Sequence, residues 1–210
     1  MNNKLEQYLL EHTTPEDPVL EDLYRKTHIR FVNPNMVSGH LQGKLLEFIS
    51  LMINAENILE IGTFTGYSAI CLAKGLRPGG KLITIEINDE LTSFSHSYFC
   101  KAGVESSITQ LIGKAQDIIP GLNQMFDLVF IDGDKREYIE YYRIIIDKVK
   151  KGGFIVADNV LWGGKVLEND AKDSQAKGII DFNEMIKNEK NIENVTLPVR
   201  DGLMLIRKKA

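Results

Sequence analysis

From residue 57 onward, short apolar runs alternate with helical patterns, and this constrains the fold more than any other feature of the chain. Strands separated by helices pair in parallel, because each crossover returns the chain to the same end of the sheet. Residues 57–62, 81–86, 107–112, 126–132 and 153–157 read as strands. Helices are predicted over 67–75, 89–102, 138–149 and roughly 172–189, with Gly75 and Gly103 closing the first two. On 138–149, Tyr138, Tyr142, Ile145 and Val149 share one stripe and read as packing. Two last strands, near 192–198 and 202–207, flank a tight turn at Arg200, Asp201 and Gly202, which favours a hairpin and one antiparallel strand. Ahead of this series, Pro15 and Pro18 break residues 2–30 into two short helical pieces. Residues 38–53 read as an amphipathic helix, with Ser38 as N-cap and Leu41, Leu45, Ile49 and Met52 at helical spacing. The expectation is an α/β chain of one domain over 1–210. Residues 1–53 form a helical cap, and 54–210 form a mostly parallel sheet with helices on both faces.

Composition excludes several classes. A chain of 210 residues, 43% apolar and 26% charged, buries a core without staples. Cys71 and Cys100 are too few for a disulfide framework and read as reduced thiols of a cytoplasmic protein. A formal net charge of −4 argues against a broad nucleic-acid surface. No stretch approaches the ~20 apolar residues that span a bilayer. The start, Met1-Asn2-Asn3-Lys4-Leu5-Glu6, lacks the apolar core of a signal peptide.

In an open parallel sheet, ligands bind beyond the carboxyl ends of the strands. The loop after the first strand runs Glu60-Ile61-Gly62-Thr63-Phe64-Thr65-Gly66-Tyr67-Ser68. Gly62 permits a tight turn and Gly66 lets backbone approach a ligand at a helix start. Glu60 repels a pyrophosphate and suits a ligand with an amino group and a nucleoside. An ordinary strand–turn–helix corner accounts for the same glycines. Glu86, at the tip of the second strand, is placed to accept both hydroxyls of a ribose, or else is a solvated strand-end acid. The fourth strand runs into Asp132-Gly133-Asp134-Lys135 and the fifth into Asp158-Asn159. Asp132, Asp158 and Asn159 offer two carboxylates and an amide oxygen, a set that suits Mg²⁺ first, then Mn²⁺ or Ca²⁺, or else they are strand-end polar groups that cap helices or face water. His12, His28, His40 and His96 are scattered and show no ligand spacing.

These segments, with Met36-Val37-Ser38-Gly39-His40, Asp158-Asn159-Val160-Leu161-Trp162 and Leu197-Pro198-Val199, resemble the cation-dependent class I O-methyltransferases, the catechol and caffeoyl-CoA O-methyltransferase family. The resemblance spans about 36–207. It implies a Rossmann-like sandwich with a seven-stranded sheet, and S-adenosylmethionine lying across the strand ends. By resemblance, Val37 and Gly62 contact that cofactor through backbone, and Glu60 and Ser68 hold its methionine end. Glu86 then takes the ribose, Ala115 the adenine edge and Asp134 the amino group, while Asp132 also borders the cofactor. Asp132, Asp158 and Asn159 hold the cation, and Lys135, with Asp132, sits beside the acceptor oxygen and takes its proton. Trp162 is either a wall for the acceptor ring or a core tryptophan pinning its loop, and Ser38 is a helix cap near a cofactor lid. A homodimer is implied by the same resemblance. The polar stretch 168–178, where acceptor specificity is set in that family, matches no acceptor type.

The expected reaction is methylation of one hydroxyl of a small catechol-like compound. The alternative is a methyltransferase acting on a hydroxylated tRNA base (5-hydroxyuridine), which the acidic pI of about 5.6 weighs against. The Gly-x-x-x-Gly spacing disfavours an NAD-dependent dehydrogenase. The retained Asp132, Lys135, Asp158 and Asn159 disfavour a binding module without catalysis.

Overall fold

The computed structural model describes residues 3–168 and 173–210. Helices α1 (Asn3–Glu11), α2 (Pro18–Arg30) and α3 (His40–Met52) precede β1 (Asn57–Ile61). Then come α4 (Tyr67–Lys74), β2 (Lys81–Glu86), α5 (Thr92–Lys101), β3 (Ile108–Ile112), α6 (Ala115–Ile118) and β4 (Phe126–Ile131). The remaining elements are α7 (Tyr138–Ile145), β5 (Val149–Asp158), α8 (Ser174–Asn188), β6 (Ile192–Leu197) and β7 (Leu203–Lys208). The seven strands form one sheet in the order β3-β2-β1-β4-β5-β7-β6. β2 pairs with β3, β1 with β4 and β4 with β5, all in parallel; β7 runs antiparallel to both β5 and β6. The expected fold, mostly parallel with a terminal hairpin, is borne out. No helix among the described residues is long and apolar enough to cross a membrane.

The chain forms two compact units. The first takes in the residues up to Glu56 together with Thr63–Ile112. Here Asp17 caps α2, accepting the Val19 N–H at 2.8 Å with Pro18 following it, so the proline ring sits where no helical N–H is required. Asp17 also forms an ion pair with Lys74 of α4. Tyr98 of α5 donates to Asp22 at 2.8 Å, and Thr27 Oγ1 lies 3.1 Å from Thr65 Oγ1. These bonds hold α2 against α4, α5 and the loop that enters α4.

The N-cap of α3 is a correction. Gly39 (φ +78°) occupies that position with no side-chain cap, and Ser38 is buried one residue earlier. The buried face of α3 is Gln42, Gly43, Leu46, Ile49 and Ser50, while Met52 is exposed. The face turns because α4 must fit. A Cβ on Gly43 would sit 2.6 Å from the Tyr67 ring and 2.7 Å from Cys71 Sγ. The predicted helix 89–102 is a 3-10 turn over Asp89–Leu91 followed by α5. Both cysteines are free thiols.

The second unit comprises Asn57–Gly62 and Gly113–Ala210. Ile58 and Leu59 of β1, Leu128–Ile131 of β4 and Ile155–Ala157 of β5 are all buried, as near-continuous apolar runs are when a parallel sheet is covered on both faces. The stripe of α7 is corrected at its end. The helix stops at Ile145, a 3-10 turn follows, and Val149 opens β5 by pairing with Phe126. The ladder shifts register between Phe126 and Leu128, and Gly152 (φ +79°) takes a conformation that a side chain disfavours. Asp173 caps α8, accepting the Gln175 N–H at 2.9 Å; the predicted start at 172 lies outside the described residues.

Candidate active site

β4 and β5 are parallel neighbours with Ile131 opposite Ala157, so the next residues, Asp132 and Asp158, come to the same sheet edge side by side. Adjacent strands lie about 4.8 Å apart. Asp158 is 2% exposed and ends β5; its Oδ1 accepts the N–H of Asn159 at 2.7 Å. Asn159 (φ +56°) turns the chain away from the strand in the left-handed region that asparagine tolerates.

After β4 the chain crosses Gly133, and the Asp134 side chain accepts the Arg136 N–H at 3.0 Å, starting a 3-10 turn over Lys135–Glu137. That turn folds Lys135 back toward the strand tips, where it is 7% exposed. Its Nζ donates to Asp132 Oδ1 at 2.7 Å and to Tyr138 Oη at 2.8 Å. The Tyr138 hydroxyl in turn points its proton at two backbone carbonyls, Ile131 O at 3.1 Å and Asp158 O at 3.0 Å. Burial first, then the charges of Asp132 and Asp158, push the Tyr138 phenol well above its ordinary pKa. Tyr138 therefore stays a neutral phenol. Two carboxylates and one ammonium converge here, and the excess negative charge suits a cation.

α8 braces this turn from outside. Gln175 Oε1 accepts the Lys135 N–H at 3.0 Å, and a Cβ on Gly178 would sit 2.8 Å from Arg136 Cα. The segment after Asn159 is laced to the β6–β7 turn: Val160 N–H reaches Gly202 O at 3.1 Å, and Gly163 N–H reaches Asp201 Oδ1 at 2.6 Å. Trp162 Nε1 donates to Asp173 Oδ2 at 3.0 Å, and Lys165 donates to the same oxygen at 2.6 Å. Lys165, and then Trp162, hold the Asp173 carboxyl below its usual range.

In the first unit, Glu86 ends β2 at 8% exposure. Its Oε2 accepts the Phe64 N–H at 2.7 Å and its Oε1 the Asn88 N–H at 2.9 Å. Phe64 itself has φ +47°, and Thr63 Oγ1 meets Thr84 Oγ1 at 2.5 Å. The glycine loop is thus tied to the end of β2 through its own backbone. Gly62 (φ +101°) belongs to the second unit, where a Cβ would sit 2.8 Å from the carbonyl carbon of Asp132. Gly62→Ala is therefore expected to destabilise the fold by about 2 kcal/mol or more. Thermal unfolding should fall by roughly 4–8 °C, and a variant as stable as the parent would refute the close approach.

The family model described as O-methyltransferase matches residues 10–209, nearly the full chain. This chain belongs to the O-methyltransferase family. It is 38% identical over 159 residues to catechol O-methyltransferase of Niastella koreensis, covering 74% of this chain and 69% of that protein. It is 30% identical over 220 residues to caffeoyl-CoA O-methyltransferase of Stellaria longipes, covering 99% and 91%. Among solved structures, the O-methyltransferase TomG from Streptomyces achromogenes, described as involved in tomaymycin synthesis and in complex with SAM, superposes with a TM-score of 0.92 at 32% identity, covering 99% of this chain and 96% of TomG. The family expected from the motifs is borne out.

In this O-methyltransferase, Asp132, Lys135, Asp158 and Asn159 share one sheet edge of the second unit, which also holds Glu60, Gly62, Ala115 and Asp134. Val37, Ser38, Ser68 and Glu86 belong to the first. Glu60 is fully buried in β1, Ala115 opens α6, and Val37, Ser38 and Ser68 are buried. Glu86 is no solvated strand-end acid. The Asp134 carboxylate is engaged by Arg136, with Nε at 2.9 Å, and Arg136 holds it below the usual carboxylate range. Trp162 is half-buried rather than a core residue, because Asp173 holds its indole at the surface. Among the described residues, no group of three or more His, Cys, Asp and Glu is placed to hold a metal. The set here instead pairs two acids with an amide. Sequence reasoning missed Tyr138, which sits three residues after Lys135, a spacing that puts both on one side of a helical turn. It also missed Gln175, Gly178 and Asp173, which act through α8; residues 169–172 of the stretch 168–178 lie outside the described residues.

Proposed function

We propose that this O-methyltransferase transfers a methyl group from S-adenosylmethionine to one hydroxyl of a small catechol-like acceptor, with a divalent cation held by Asp132, Asp158 and Asn159. The observation that carries the reading is the convergence of Asp132, Lys135 and Asp158 at the ends of two adjacent strands. The names of the relatives, catechol and caffeoyl-CoA O-methyltransferase, support the acceptor class, and TomG in complex with SAM supports the donor. When bound, the donor supplies an activated methyl and the cation lowers the pKa of a coordinated hydroxyl.

The chain's own residues do the rest. Glu86, already oriented by two backbone N–H groups, keeps lone pairs on both oxygens for ribose hydroxyls. Lys135, in its neutral amine form, stands beside Asp132 to take the acceptor's proton onto the Nζ lone pair. Held at 7% exposure, it acts where little water competes. Adjacent hydroxyls on the acceptor favour one fixed orientation, which replaces a bimolecular encounter with a positioned one. The same reading takes the protein as a homodimer. Exposed Phe48, Leu51 and Met52 on α3, with Leu5 and Tyr8 on α1, supply apolar surface for a second copy to cover.

A panel of vicinal diphenols, monophenols and hydroxylated nucleosides, assayed with labelled methyl donor with and without Mg²⁺, tests the reading. Labelling of vicinal diphenols that requires Mg²⁺ is expected. Equal labelling of monophenols without metal overturns the chelating acceptor, and labelling of nucleosides alone moves the substrate to RNA.

A further inference from the structure

We infer that Tyr138 is a positioning residue for methyl transfer: its hydroxyl fixes the direction in which Lys135 Nζ faces the acceptor. The inference rests on the proposed role of Lys135 and extends it to a residue that acts through Lys135.

The argument is one of valence. Besides Cε, Nζ has three tetrahedral directions. Asp132 Oδ1 takes one at 2.7 Å and Tyr138 Oη takes a second at 2.8 Å. The third is thereby set in space, whether it carries a proton or a lone pair. One partner alone leaves Nζ free to rotate about that bond, whereas two remove the freedom.

Tyr138 is built to accept from Lys135. A phenol has one proton, and here that proton is directed at Ile131 O, 3.1 Å away, and Asp158 O, 3.0 Å away. The oxygen therefore turns its lone pairs toward Nζ. Those two carbonyls close β4 and β5, the strands whose tips carry Asp132 and Asp158. One hydroxyl thus ties the Lys135 ammonium to both strand ends. The ring cannot drift. It is fully buried, Phe182 packs edge-on with centroids 5.4 Å apart, and Tyr141 lies at 6.2 Å. The Lys135 backbone is fixed independently by Gln175, so the ammonium is held at both ends of its flexible stem.

Tyr138→Phe keeps the ring and removes the hydroxyl. We expect Y138F to lower kcat about 10- to 100-fold, with KM for donor and acceptor within about twofold, because orientation and not binding is lost. Lys135→Ala combined with Y138F should be no slower than Lys135→Ala alone, since Tyr138 acts through Lys135. A crystal structure of Y138F, without metal or donor, should show Nζ moved from its place beside Asp132 Oδ1. Donor affinity measured by calorimetry reports whether Y138F keeps its fold.

Y138F that turns over within twofold of the parent overturns the inference, as does an unmoved Nζ or a double variant in which the two losses multiply. Y138F that loses donor affinity in proportion to turnover makes Tyr138 a fold residue and overturns it as well. If Lys135→Ala is itself fully active, the role of Lys135 fails and the inference falls with it. If Lys135→Ala is slow and Y138F is not, only the inference falls.

Discussion

Asp158→Ala is expected to lower kcat by about 10³-fold, equivalent to about 4 kcal/mol of transition-state stabilisation, while the protein still unfolds cooperatively near the parent temperature. Asp158 is 2% exposed and stands beside Asp132. Among the contacts of Asp158, deletion removes the bond to the Asn159 N–H, worth about 1 kcal/mol. It also relieves the repulsion between two carboxylates at one sheet edge, which offsets that loss. Chelation of the parent protein should produce the same loss of turnover, reversed by added Mg²⁺, and should do nothing further to Asp158→Ala. Full turnover of this variant in metal-free buffer would remove the cation from the proposal.

Lys135→Ala is expected to lower kcat by about 10²- to 10⁴-fold, the range for loss of a positioned general base, with donor affinity within about threefold of the parent. Steady-state kinetics and calorimetry read the two separately, and a loss confined to affinity would reassign Lys135 to binding. The stability effect should be opposite in sign to any gain from Asp158→Ala. Lys135 Nζ is bonded to Asp132, whose side chain is 16% exposed, and removing it takes that partner from Asp132. Loss of one partner of a pair mostly screened from water is destabilising. Thermal unfolding of both variants in one buffer tests this: Lys135→Ala should melt lowest, and melting above Asp158→Ala would contradict the charge balance at the sheet edge.

Much of this arrangement is legible in the chain itself, because strands and helices are local patterns. The apolar runs at β1, β4 and β5 carry no polar alternation, and such runs fit only a parallel sheet covered on both faces. The runs of β4 and β5 stop at Asp132 and Asp158, so that sheet edge can be read as punctuation. Boundaries were less legible where pairing overrode propensity. Val149 sits at helical spacing after Tyr138, Tyr142 and Ile145, yet pairs with Phe126 as the first residue of β5. The buried face of α3 turned away from Met52 because Gly43 and Ser50, not the larger side chains, let α4 approach.

What the sequence determined by itself is the inventory: which side chains end the strands, and hence an O-methyltransferase family bearing two acids, an amide and a lysine. What only the tertiary structure decided is how those groups are held. Tyr138 reads as one more apolar position on a helical stripe; its spacing from Lys135 is local, but nothing local reveals that its hydroxyl also meets two strand-end carbonyls. Gln175 acts across 40 residues on the Lys135 backbone, and Asp173 across 11 on the Trp162 indole. Periodicity reports which face of an element is buried. Hydrogen bonds to a partner 20 or 40 residues distant in sequence depend on how the strands stack, which no local pattern encodes.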